Sequence, residues 1–341
     1  MNAATLLYSY LDLARAKGAS DITLCPGEPL TLRIQRHLHR FETVSRESFH
    51  ELLWDIENHE VGTLERDGER FRYIHYQAED GPVLEIRLLP KKVPSLAELN
   101  APPAFRELIQ AERGLIVVTG RTGEGKSTTL AAAIEELNAG RDDLKILTLE
   151  HPIEYRHESR KALIRQREFG KHFDSFPDAI EAAMRQDPNV VVIGEMRSPA
   201  SIAAALTAAE TGQLVLATLH TKDAAGSVSR ILDIVPGLDV PEQLAGSLIG
   251  VLAQQLLPAR GGGLVAAYEL LTTSTAAANC IREKRIEHLR DEIRRGQGRG
   301  MIAMDGALEA LVRTGRVAKA DALRRAAHPS ALEARLANLS P

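Results

Sequence analysis

The residues best able to do chemistry are Gly120-Arg121-Thr122-Gly123-Glu124-Gly125-Lys126-Ser127, which read G-x-x-x-x-G-K-S. Each residue type has a physical reason to be there. Gly120, Gly123 and Gly125 let backbone N–H groups turn inward around phosphate oxygens. Lys126 has the reach and charge for the β- and γ-phosphates, and the Ser127 hydroxyl suits Mg²⁺. Thr122 and Thr128 complete the expected binding set. The flanks agree. Leu115-Ile116-Val117-Val118 is a short β-branched run bounded by glycines, as a buried parallel strand is. Residues 128–138 (TTLAAAIEELN) are rich in helix formers and lack Gly and Pro. Strand, glycine loop and helix together predict a P-loop whose helix N-terminus holds an anion, and hence a bound nucleoside triphosphate.

Three further apolar strands are expected to end on polar residues. Lys145-Ile146-Leu147-Thr148-Leu149 ends in Glu150, Val190-Val191-Val192-Ile193 runs to Gly194-Glu195, and Leu214 to Leu219 ends at His220. In an open parallel sheet, ligands bind at the C-terminal strand ends, the same edge as the P-loop. Hydrolysis of a γ-phosphate needs charge neutralisation and an oriented water. Glu150 and Glu195 are the two candidates for holding Mg²⁺ or accepting the water's proton. His220 either senses the γ-phosphate, relays a conformational change, or is a satisfied core histidine.

With 341 residues, the chain is expected to form two domains. A net charge of -4 and an aromatic content of 4% argue against a nucleic-acid partner. Cys25 and Cys280 stand far apart without a C-x-x-C pair, which suits a reducing compartment better than a disulfide or zinc site. No apolar run reaches the length of a transmembrane helix, so the expected location is cytoplasmic, with membrane association only through partners.

Residues 1–98 read as a small N-terminal α/β domain. Leu6, Leu7, Tyr10, Leu11 and Leu13 give a helical stripe ending near Gly18, and a second helix spans Ser45 to Ile56 with Phe49, Leu52, Leu53 and Ile56 on one face. Asp21 to Leu24 and Leu30 to Ile34 alternate as strands. Arg70 to Tyr76 and Val83 to Leu88 form a hairpin around Asp80-Gly81. Period-2 counting puts Phe71 and Tyr73 on one face, and Arg70 and Arg72 on the other; Arg87 faces away from Leu84 and Ile86. On pattern alone such arginines are most simply solvated. Pro94 to Pro103 reads as a linker, assigned to 99–103, followed by an ATPase core over 104–270 and a helical C-terminal region over 271–341. From Pro241 onward the expected structure is mainly helical, with Gly261-Gly262-Gly263 as a tight turn and the charged run Arg282 to Arg299 as solvated helix faces.

The residues from about Gly114 to Pro258 resemble the secretion ATPases of type II secretion systems and type IV pili, the GspE/PilT superfamily. The resemblance rests on the Walker A segment Gly120–Thr129, the Asp box Thr148–Glu154, Gln166-Arg167-Glu168 and Arg185–Asn189. It continues through the Walker B segment Val192–Arg197, the His box Ala208–Gln213 with Thr218–Thr221, and Gln254–Pro258. Outside this span Gly18–Asp21, Arg70-Phe71-Arg72, Pro94-Ser95-Leu96 and Gly315-Arg316-Val317 also fit, and the chain is most similar to the PilT branch. The resemblance implies an α/β fold: a RecA-like P-loop NTPase core, a smaller PAS-like N-terminal domain and a helical C-terminal region. It implies ATP and Mg²⁺ as ligands, with Ser127 and Glu195 on the metal, Glu150 activating water and His220 coupling the site to motion. Arg72 and Arg87, and less directly Arg70, would be arginine fingers. A homohexameric ring is expected, driving pilus retraction and twitching motility from the inner-membrane base. Its expected partners are a pilus platform protein and a second pilus motor ATPase. The alternatives are an ATP-binding regulatory paralogue of another motor and a RecA-like nucleic-acid translocase. The sequence departs from the family pattern at His151, Gln213 and Ser198, and at Ala276–Glu283, where A-I-R-N-L-I-R-E is usual.

Overall fold

The computed structural model describes residues 3–34, 37–55, 61–235, 237 and 239–337, which form two compact units, Met1–Lys92 and Val93–Pro341. The first unit is one six-stranded antiparallel sheet with two helices, α1 (Ala3–Ala16) and α2 (Arg46–Asp55). Its strands are β1 (Ala19–Leu24), β2 (Pro29–Ile34), β3 (His37–Thr43), β4 (Val61–Arg66), β5 (Glu69–Ala78) and β6 (Gly81–Leu88), in the order β3-β2-β1-β6-β5-β4. Leu7, Leu11 and Ala14 of α1 and Phe49 of α2 bury against Ile22, Leu32, Phe71, Tyr73, Leu84 and Ile86. Ile56, and the side chains of Leu52 and Leu53, lie outside the described residues. The two strands that the sequence did not reveal, β3 (HLHRFET) and β4 (VGTLER), are the sheet's outermost strands. Edge strands bury little, so they carry no apolar alternation to read.

The second unit is built on a seven-stranded sheet. In chain order its strands are β7 (Gly114–Thr119), β8 (Lys145–Glu150), β9 (Leu163–Glu168), β10 (Val190–Ile193), β11 (Leu214–Leu219), β12 (Leu248–Pro258) and β13 (Leu264–Thr272). The spatial order is β13-β12-β7-β11-β10-β8-β9, parallel throughout except for the β12–β13 pair. Both faces are covered, which explains the unbroken apolar runs. Ile116 and Val118 of β7 pack with α3 (Pro103–Leu108) and α4 (Lys126–Gly140). Leu115 and Val117 pack on the opposite side with α5 (Phe176–Met184), α6 (Pro199–Glu210), α7 (Ala224–Ile234) and α8 (Val240–Ser247). Beyond β13 come α9 (Thr275–Arg282), α10 (Ile286–Arg295), α11 (Met304–Arg313), α12 (Lys319–Arg325) and α13 (Pro329–Leu336). Met304, Leu308, Ala322, Leu332 and Leu336 from the last three share a separate small core with Leu257, Val265 and Ala267 of β12 and β13.

Two sequence expectations need correction. The stretch 99–103, expected as a linker, packs into the second unit: Leu96 is fully buried and Ala101 nearly so, beside Phe105 and Ile109. Prolines at both ends mimic a linker, but the Ser95 N–H and hydroxyl bind the Glu98 carboxylate at 2.7 and 2.8 Å and fold the segment into a turn. The region after Pro241 is not mainly helical until Thr275. An eleven-residue strand and a nine-residue strand pair there, and Gly261–Gly263 lie in the connection between them. An apolar run of that length reads equally as helix or strand; pairing of β12 with β7 decides it.

Candidate functional site

The C-terminal ends of β7, β8, β10 and β11 lie side by side, in register through Ile193 with both Leu149 and Ala217, and through Leu219 with Thr119. They present the glycine loop, Glu150, Glu195 and His220 on one sheet edge. Gly194 lets β10 end close to β8, because an added Cβ there would stand 3.2 Å from the Glu150 Cα. Thr119 ties the loop's base to the His220 segment: its hydroxyl lies 2.7 Å from that of Thr221 and also accepts the Thr221 N–H at 3.0 Å.

The loop itself has Gly120, Gly123 and Gly125 at positive φ (154°, 78° and 83°), and Gly125 caps α4 in the left-handed region. Gly120 cannot be replaced without conflict, since a Cβ would meet the Gln254 carbonyl at 2.7 Å. Lys126 is buried and its ammonium donates to the carbonyls of Gly120 at 2.9 Å and Arg121 at 3.1 Å, so it lies across the concavity of its own loop. Burial pushes the Lys126 pKa down, against the pull of the Glu195, Glu124 and Glu154 carboxylates. Ser127 is exposed at the start of α4, and Thr128 behind it shares a 2.9 Å hydrogen bond with the Tyr155 hydroxyl.

His220 joins the two halves of the constellation. Its Nε2 is 3.2 Å from a Glu195 carboxylate oxygen, and its Nδ1 is 3.4 Å from the Thr122 hydroxyl and 3.5 Å from the Lys126 ammonium. Its side chain is 37% exposed, so the core-histidine alternative is wrong. The other oxygen of Glu195 pairs with Arg197 at 2.7 Å. Burial acts to raise the Glu195 pKa, but the Arg197 hydrogen bond and the His220 imidazole outweigh it and hold the carboxyl below its ordinary range. Glu150 is the opposite case. Burial dominates and lifts its pKa to about 7, only partly offset by hydrogen bonds from the Thr148 hydroxyl (2.6 Å) and the Gln166 amide (3.0 Å). Two carboxylates on neighbouring strands are thus tuned apart, one kept ionised and one poised at neutral pH.

Motif spotting named Gln166 but not its contact with Glu150, and it missed Arg197's grip on Glu195 altogether; the latter could have been suspected from i,i+2 spacing past a strand end. His151 stacks edge-on against Phe169, with ring centroids 5.0 Å apart. Gln213 precedes β11 at its N-terminal end, so roughly 20 Å of strand separates it from His220. That departure therefore leaves the constellation intact. Arg72 and Arg87 belong to the first unit, where they are directly opposed across β5 and β6 on the face away from Phe71 and Tyr73. Arg87 donates to Asp21 of β1 at 2.8 Å, a partner not foreseen from the sequence.

Residues 64–324 match the family model described as "Type II/IV secretion system protein". The chain belongs to this family. Among its relatives, a "Twitching motility protein" of Neisseria gonorrhoeae is 46% identical over 261 residues, 75% of this chain and 70% of the relative. The "Type IV pilus retractation ATPase PilT" of Pseudomonas aeruginosa is 37% identical over 94% of this chain and 97% of its own length. Among solved structures, "Crystal Structure of the Pilus Retraction Motor PilT and Bound ADP" superposes with a TM-score of 0.84 at 35% identity, covering 95% of this chain and 98% of that one. As a member of this family of secretion ATPases, the chain binds adenine nucleotide. No helix among the described residues is long and apolar enough to cross a membrane.

Proposed function

We propose that this secretion-family protein is a ring-forming motor that hydrolyses ATP to retract a type IV pilus. The observation that carries the hydrolytic part is His220, which connects the Walker A lysine to the Walker B glutamate next to a second carboxylate whose pKa is about 7. The pilus part is supported by the names borne by relatives that match nearly the whole chain.

In this reading the loop amides and Lys126 hold the β- and γ-phosphates, with Thr122 and Thr128 flanking them. Mg²⁺, when bound, neutralises charge on the phosphates. Its ligands here would be the Ser127 hydroxyl and Glu195, hard oxygen donors of the kind it takes. Glu150 takes the proton of the attacking water; Thr148 and Gln166 fix its carboxylate. Loss of the γ-phosphate changes what Lys126 and Thr122 hold, and His220 touches both, so it passes that change to Glu195. Arg72 and Arg87, opposed across β5 and β6, are the guanidinium groups of this reading, the kind of charge that suits a transferring phosphoryl. The ring is a homohexamer on the cytoplasmic side of the inner membrane, docked on a pilus platform protein.

The deciding experiment is ATP turnover by the purified protein over a range of concentrations, with its mass measured in solution with nucleotide. Turnover that rises as a hexamer forms supports the motor. Binding without turnover at any concentration overturns it in favour of a regulatory paralogue.

A further inference from the structure

Glu124 is an unexpected occupant of a phosphate-binding loop. It lies between Gly123 and Gly125, is 4% exposed, and places a carboxylate in the loop that must receive a polyphosphate. Uncompensated, that charge repels the nucleotide over a short distance in a partly dry site. It is not uncompensated. One carboxylate oxygen accepts the backbone N–H of Leu256 on β12. The other accepts from the Arg325 guanidinium at 3.2 Å, in an ion pair whose side chains are 27% and 6% exposed. Arg325 also reaches the Leu256 carbonyl at 3.5 Å, so one guanidinium braces both the loop and the strand beside it. The Glu124 carbonyl is held in turn by the Gln254 amide, whose oxygen takes the Thr129 hydroxyl at 2.9 Å.

Arg325 is the last residue of α12, and its position is built rather than incidental. Immediately beyond it, Asp305 at the start of α11 accepts the N–H groups of Ala327 and His328 at 2.7 and 3.0 Å. The apolar core shared by α11, α12 and α13 anchors the same segment to β12 and β13. The pair sits on the wall of a cavity of about 1450 Å³ that Arg121, Gln254 and Asp305 also line, so shortening Arg325 opens space instead of forcing a clash.

We infer that Arg325, from the C-terminal helices, is a positioning residue for the nucleotide loop: it neutralises Glu124 and so makes the loop receptive to phosphate. The C-terminal helical region thereby completes the nucleotide site electrostatically. The inference rests on nucleotide binding at the P-loop and not on the motor reading.

The test is titration of the full-length protein with a fluorescent ADP analogue, together with ATP kinetics, for Arg325→Met, Arg325→Lys, Glu124→Gln and the double variant Glu124→Gln/Arg325→Met. Arg325→Met should weaken nucleotide binding roughly tenfold to a hundredfold and raise KM for ATP, with kcat changed by no more than about threefold. Arg325→Lys should recover part of the affinity. The double variant should bind more tightly than Arg325→Met, because the unpaired carboxylate is gone. Unfolding midpoints are recorded for all four. Binding by Arg325→Met equal to wild type overturns the inference, and so does a double variant as weak as or weaker than Arg325→Met. Failure of the wild-type protein itself to bind the analogue would instead overturn the nucleotide-site reading.

Discussion

If Glu150 is the base, the rate must follow its ionisation. Burial sets its pKa at about 7. The ionised fraction is then about 10% at pH 6, about 50% at pH 7 and about 90% at pH 8. Only the ionised form accepts a proton, so kcat/KM, which reports the free enzyme, should rise about tenfold from pH 6 to pH 8 and level off above that. The Thr148 hydroxyl donates to this carboxylate at 2.6 Å and favours its charged form. Thr148→Val removes that donor, leaves burial unchanged, and should move the limb to higher pH by on the order of one unit, the equivalent of a charge-assisted hydrogen bond. Glu269 provides the control. Its pKa is also raised to about 7 by burial, but it accepts the N–H groups of Ala224 and Met304 instead of facing the loop. The assay is steady-state phosphate release from pH 5.5 to 9 at saturating Mg²⁺, on wild type, Thr148→Val, Glu150→Gln and Glu269→Gln. A limb that stays put in Thr148→Val, that moves in Glu269→Gln, or turnover that survives Glu150→Gln, refutes the assignment.

Three further outcomes are expected. Glu195→Ala should keep nucleotide binding but lower turnover at least ~10²-fold, read by comparing analogue titration with phosphate release. Gly120→Ala places a methyl 2.7 Å from the Gln254 carbonyl at a φ that L-residues rarely adopt, and should weaken nucleotide binding by more than about tenfold; wild-type affinity would mean the loop tolerates a shift. Leu96→Ala, in a segment that reads like a linker, should destabilise the second unit by about 2–5 kcal/mol in denaturant unfolding, whereas a true linker position would give almost none.

The cluster of Glu150, Glu195 and His220 on one sheet edge was legible because its positions are set by strand ends. A parallel strand buried on both faces must be apolar, so the first polar residue after it stands out, and Glu150, Glu195 and His220 were found that way. The hairpin of β5 and β6 was legible from period-2 alternation about Asp80-Gly81, down to which face holds Phe71 and Tyr73. The edge strands β3 and β4 were not, because they bury too little to leave a pattern. Pro94 to Pro103 was misread because proline punctuation records backbone restriction and says nothing about what Leu96 packs against.

By itself the sequence determined that a glycine loop of the P-loop pattern stands between a buried strand and a helix. It also determined which residues end the neighbouring strands. Only the tertiary structure decided how those ends are tuned. Glu150 and Glu195 are the same residue type at equivalent strand ends, yet burial lifts one pKa to about 7 while Arg197 and His220 hold the other low. The tertiary structure alone also brings Arg325 to Glu124, 201 positions apart in the chain. Electrostatic energy depends on distance and desolvation, and neither is written in local sequence; both exist only once the sheet edge and the C-terminal helices have closed around the loop.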